Sequence, residues 1–117
     1  MTYYLQLGQE ELEKIRKDRK IRRALASKNH YWFFSLYLSH YITCEFAPLH
    51  YEIFKLTEED VSFAVLVAFR GSAKSTLVTL SYVIWSIIGI QKKKFVLIVS
   101  QTQSQAKLHL ENIKQEL

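Results

Sequence analysis

The chemistry in this sequence concentrates in AFRGSAKST, residues 68–76. Lys74 offers a compact cation for phosphate oxygens, and the hydroxyl of Ser75 directly after it suits a magnesium ion. A phosphate loop also needs backbone N–H groups turned inward and a helix N-terminus aimed at the anion. The order follows the phosphate-loop pattern G-x-x-x-x-G-K-[ST], with Ala68 and Ala73 standing where that pattern has glycine. Ala73 is expected to keep a negative φ, leaving the less restricted conformation to Gly71. On the residues alone a second reading stays open: a strand–turn–helix corner in which Ser75 is a cap and Lys74 is solvated.

A phosphate loop needs a buried strand before it and a helix after it. Residues 61–69, VSFAVLVAF, form a continuous apolar run and read as a fully buried strand of a parallel sheet. Residues 74–88 read as a helix, apolar on most faces, with Gly89 as its C-cap. Lys92, Lys93 and Lys94 form a connector, and 95–99, FVLIV, a second buried strand. Residues 103–117 read as a last helix with Ala106, Leu110, Ile113 and Leu117 on one face. Strand, helix, strand, helix predicts a right-handed βαβ unit.

Upstream, 9–28 reads as one charged helix. Its eight basic and four acidic residues supply +4 of the chain's formal +5. This surface is either a solvated helix face or a patch that touches phosphates. Residues 31–43 carry two helical stripes, Phe33, Tyr37, Tyr41 and Phe34, Leu38, Ile42. The stretch holds no positive charge, which favours core packing over base stacking. Pro48 opens a short helix, followed by a polar turn at 57–60.

With 49% hydrophobic and 23% charged residues in 117, the composition is that of a small globular domain and excludes a disordered tail. The single cysteine, Cys44, excludes an internal disulfide and points to a reducing compartment. The N-terminus lacks the charge-then-apolar order of a secretory leader. The apolar tail at 77–90 is too short to span a bilayer as a helix; nothing in the sequence calls for a peripheral membrane role, which stays open.

FRGSAKST, flanked by an apolar run and an apolar helix with Trp85, then KKKFVLIVSQTQSQA at 92–106, resembles the N-terminal ATPase domain of phage terminase large subunits. These are motors that drive DNA into procapsids, and they place an Arg four residues before the loop Lys, as Arg70 and Lys74 stand here. The resemblance implies an α/β fold: a partial P-loop NTPase of the ASCE/RecA-like type, its parallel sheet preceded by an N-terminal helical segment. Residues 1–56 would be that segment and 57–117 an incomplete βαβα core. It implies ATP and Mg²⁺ as cofactors. Lys74 would meet the β/γ-phosphates, Ser75 would ligate Mg²⁺ with Thr76 in support, and Arg70 would sense the γ-phosphate. Gly71, Ser72 and Ala73 would cradle phosphate oxygens. His50 occupies the place of a family Gln that reads adenine, and its alternative is an ordinary surface imidazole. Ser100-Gln101-Thr102 either matches a coupling motif or caps the last helix. Implied partners are duplex DNA, the portal protein, the small terminase subunit and further copies in a ring. The implied location is the cytoplasm of the infected bacterial host. The chain as given would end before the family's Asp-Glu pair and nuclease domain. Another P-loop helicase or translocase, or a non-catalytic fragment acting through protein partners, remains the alternative.

Overall fold

The computed structural model of the protein describes residues 8–117. The stretch 1–7, which opens the reading against a leader, lies outside them. Among the described residues there are six α-helices: α1 (Gln9–Lys17), α2 (Arg19–Lys28), α3 (His30–Tyr37), α4 (Pro48–Glu58), α5 (Val83–Ile88) and α6 (Gln103–Glu116). A π-helical segment, Thr76–Tyr82, leads without a break into α5. The charged stretch is two helices, because Asp18 stops α1 and caps α2: its carboxylate accepts from the N–H groups of Lys20 at 2.9 Å and Ile21 at 3.4 Å. Most of its charges are exposed. The polar turn begins later than the sequence suggests, since α4 runs on through Thr57 and Glu58.

The core is aromatic and aliphatic: Phe33 and Phe34 of α3, Ile53 and Phe54 of α4, Leu77, Ile84 and Trp85, and Ile113 of α6. The stripe Phe34, Leu38, Ile42 faces inward, whereas Tyr37 and Tyr41 reach solvent. On α6 the inner face is Ala106, His109, Ile113 and Glu116; Leu110 and Leu117 are exposed.

Polar side chains tie the helices together inside this core. His30 is fully buried. Its Nδ1 lies 2.7 Å from Thr57 Oγ1, and its Nε2 lies 2.7 Å from Ser81 Oγ. Thr57 donates its only hydroxyl hydrogen to the Phe54 carbonyl at 2.9 Å, so it must accept from His30. The ring is therefore the Nδ1–H tautomer, and Ser81 donates to Nε2. Burial pushes the His30 pKa down to about 3, which keeps the ring neutral. Trp85 Nε1 donates to the Ala26 carbonyl at 2.8 Å. Gly89 lets the chain turn tightly at the end of α5 and pass against α2, since a Cβ there would stand 2.6 Å from the Trp85 carbonyl oxygen and 3.1 Å from that of Ser27.

No strand forms among the described residues, which corrects the expected α/β class. The segments 61–69 and 95–99 are non-helical, but neither makes a ladder. A β-strand is a paired state: its N–H and C=O groups need a neighbour about 4.8 Å away. Alternation still sorts their side chains. Leu66, Val96 and Ile98 pack on the core, while Phe63, Val65, Val67, Phe69, Phe95, Leu97 and Val99 are 71–87% exposed. The expectation of fully buried strands is thus not met: the inward-facing residues are only half-buried and the others are exposed. The segments start side by side, where Lys93 Nζ pairs with Asp60 Oδ1 at 2.9 Å. This small helical globule is not a P-loop NTPase sheet.

Candidate functional site

The nine residues 68–76 wrap around a concavity of about 390 Å³. A turn begins the loop, with the Ser72 N–H donating to the Phe69 carbonyl at 3.3 Å. Gly71 follows the sequence expectation with φ +88°. Ala73 departs from it, with φ +61°. A left-handed conformation crowds an L-residue's Cβ against its own carbonyl and costs about 1–2 kcal/mol. Strain of this kind gathers where function fixes a backbone shape.

The helix after the loop starts its backbone ladder with the Leu77 N–H donating to Ala73 at 3.0 Å. The N–H groups of Gly71, Ala73, Lys74, Ser75 and Thr76 have no hydrogen-bond acceptor among the described residues. Ser72 is 3% exposed, and its Oγ also lacks a partner among the described residues. Buried hydroxyls are ordinarily satisfied, so this one marks a place suited to a ligand or water. Lys74 is half-buried and Arg70 exposed, and neither meets a carboxylate among the described residues. Free amides, an orphaned hydroxyl and two cations are the groups that could meet an anion here.

His50, on the first turn of α4, touches this loop. Its Nδ1 accepts from the Ala47 N–H at 2.9 Å, so the proton sits on Nε2, which donates to the Ser72 carbonyl at 2.9 Å. Both ring nitrogens are engaged within the chain in this arrangement. Phe46 meets the ring edge-on, at 5.9 Å between centroids.

Sequence reasoning missed the contribution of α6. Ser75, Thr76 and Thr79 share a cavity of about 150 Å³ with His109 and Asn112. Their i, i+3 spacing beside Ile113 was the available signal. It missed the His30 clamp as well, since nothing in the sequence pairs residue 30 with residues 57 and 81. Downstream, Thr102 caps α6, its Oγ1 accepting from the Gln105 N–H at 3.2 Å. The capping reading of Ser100-Gln101-Thr102 thus describes this turn. The Lys92–94 connector leaves Lys92 and Lys94 exposed. No group of three His, Cys, Asp or Glu side chains suited to a metal occurs among the described residues. No helix among them is long and apolar enough to cross a membrane.

No family model, curated protein or solved structure matches the chain. Together with the absence of strands among the described residues, this overturns the terminase resemblance. A motif of nine residues has the local chemistry of such motors without the sheet that defines them. Roles that came only through the resemblance, adenine reading by His50 among them, lose that ground.

Proposed function

We propose that the loop 68–76 binds the phosphates of a nucleoside triphosphate, ATP with Mg²⁺. The observation that carries this reading is the run of unpaired amides at 71 and 73–76 beside the orphaned, buried hydroxyl of Ser72. Unpaired donors at a helix start are open to an acceptor-rich ligand, and a polyphosphate is the acceptor-rich ligand that also matches Lys74 and Arg70. Lys74 would balance charge on the phosphates and Arg70 would stand at their outer edge. The Ser75 hydroxyl would complete the shell of a Mg²⁺ carried in by the nucleotide, since that ion keeps phosphate oxygens and water as most of its ligands. When bound, ATP supplies a phosphoryl group; the chain's own residues bind and orient it. Exposed Cys44 fits a reducing compartment such as a cytoplasm.

Titration calorimetry with Mg·ATP against the full chain tests this reading. Lys74→Ala should weaken binding at least about ten-fold, as expected for a desolvated charge-assisted contact, with an unchanged helical circular-dichroism spectrum. Equal affinity for the two proteins would remove the site.

A second reading draws on the seven exposed apolar side chains of 63–69 and 95–99. Contiguous apolar surface on this scale marks association with protein. Sedimentation velocity checks it: a monomer at all concentrations would exclude self-association.

A further inference from the structure

His50 sits outside the loop motif, and its geometry is more specific than a surface imidazole requires. The Ser72 carbonyl is the group that a regular helix would offer to the Thr76 N–H four residues later. That bond is not made: the Thr76 N–H has no acceptor among the described residues, and the helix ladder starts one residue on, from Leu77 to Ala73. The Ser72 carbonyl instead accepts from His50 Nε2 at 2.9 Å. His50 can make this bond because its other nitrogen is held by the Ala47 N–H, which fixes the tautomer. Its ring is steadied by Phe46, which itself packs against Phe34 and Phe54 of the core. The imidazole is thus anchored on the rigid side and reaches across to the loop.

We propose that His50 is a positioning residue that holds the phosphate loop open. By holding the Ser72 carbonyl, it turns that group away from the helix ladder and leaves the Thr76 amide free for an anion. The left-handed Ala73 is where the chain absorbs the change of direction between the diverted carbonyl and the helix. This role rests on the phosphate-binding reading for its purpose, but its structural half stands without it: His50 sets the loop conformation whether or not a nucleotide is the ligand.

Amide hydrogen exchange on the ligand-free full chain tests the structural half, and Mg·ATP titration tests the purpose. His50→Phe keeps the ring packed on Phe46 and removes both hydrogen bonds. His50→Gln replaces them, because its carbonyl can accept from Ala47 and its NH₂ can donate to Ser72; Gln is also favoured at this position of a helix. For His50→Phe, the freed Ser72 carbonyl should take the Thr76 N–H, so exchange at Thr76 should slow by about five-fold or more, the size of one gained hydrogen bond, with protection elsewhere in α4 and the core unchanged. ATP affinity should fall by a similar factor. His50→Gln should restore both to within about two-fold. Unchanged exchange in His50→Phe, loss of protection throughout the chain, or failure of Gln to rescue would each overturn the proposal. If the unaltered protein shows no ATP binding but the exchange pattern follows this order, the phosphate reading fails and the positioning role stands.

Discussion

His30 and Ser72 are both polar side chains taken out of water, at 0% and 3% exposure, and they end in opposite situations. The His30 ring spends both nitrogens on partners from two other elements, Thr57 of α4 and Ser81 of the π-helical segment. The Ser72 hydroxyl has none among the described residues, and five amides around it share that condition. A buried polar group with all its partners in the chain holds the fold; one left without them costs stability and is kept where something else binds. His30 and Ser72 differ in this respect, and they are linked through one helix: Ser81 lies in the segment that the loop starts.

The sharpest way to break the comparison is His30→Ala. It opens a cavity among Phe54, Tyr82 and Trp85, whose rings lie 5.0–5.9 Å from the imidazole, and orphans Ser81. A loss of about 3 kcal/mol is expected in urea unfolding, against almost none for Lys74→Ala. A loss below about 1 kcal/mol would mean that the clamp is not structural.

Acid provides the next largest effect. The folded His30 pKa is lowered to about 3 by burial, against 6.5 for an exposed imidazole. The unfolded chain therefore binds a proton more readily than the folded one between these values. His30 stabilises the fold fully above pH 6.5, and that contribution falls away as pH drops toward 3, on the order of 1 kcal/mol per pH unit. Denaturant midpoints measured from pH 7 to 4 check this. A midpoint that stayed flat or rose on acidification would contradict a neutral buried ring.

At the loop the signs should reverse. Ala73→Gly relieves the φ of +61° and should raise stability by about 1 kcal/mol, because the folded-state strain exceeds the extra freedom that glycine gives the unfolded chain. Thermal melting reads it, and a drop in melting temperature would show that Ala73 is relaxed as it stands. Ser72→Ala should have the smallest effect on folding, within about 0.5 kcal/mol or slightly stabilising, since it deletes a hydroxyl without a partner. The same change should weaken Mg·ATP binding about five-fold by calorimetry. Strong destabilisation with unaltered binding would place Ser72 with His30 and erase the contrast.

The helices were legible where their signals are local. Pro48 at the start of α4, Thr102 as the cap of α6 and the stripe Phe34, Leu38, Ile42 can each be read from neighbours within a turn or two. Asp18 was legible in type but overlooked, because the charge pattern ran unbroken across it. The inner face of α6 was right at Ala106 and Ile113 and one position off at the other two: four aliphatic residues suggested one stripe, and packing chose His109 and Glu116 over Leu110 and Leu117. Glu116 can lie there because the Tyr41 hydroxyl donates to its carboxylate at 2.8 Å, which also holds that carboxyl below its ordinary range. For the loop, the anion-binding residue types were visible in order, but the left-handed Ala73 was not, since a positive φ in alanine is imposed by what flanks it.

The two apolar runs mark the limit of sequence reading in this protein. Their continuous apolar composition suggested strands buried on both faces, whereas exposure alternates along each run, as it does when successive Cβ atoms point to opposite sides. Composition could not fix a sheet, because a strand exists only through hydrogen bonds to a second strand, and among the described residues none is paired. By itself the sequence determined helix spacing, the order of the loop residues and the position of the basic stretch. Tertiary structure alone decided which polar groups meet and which stay free, because a contact between residues 30 and 81 or between 50 and 72 depends on where the chain returns, and no local pattern carries that information.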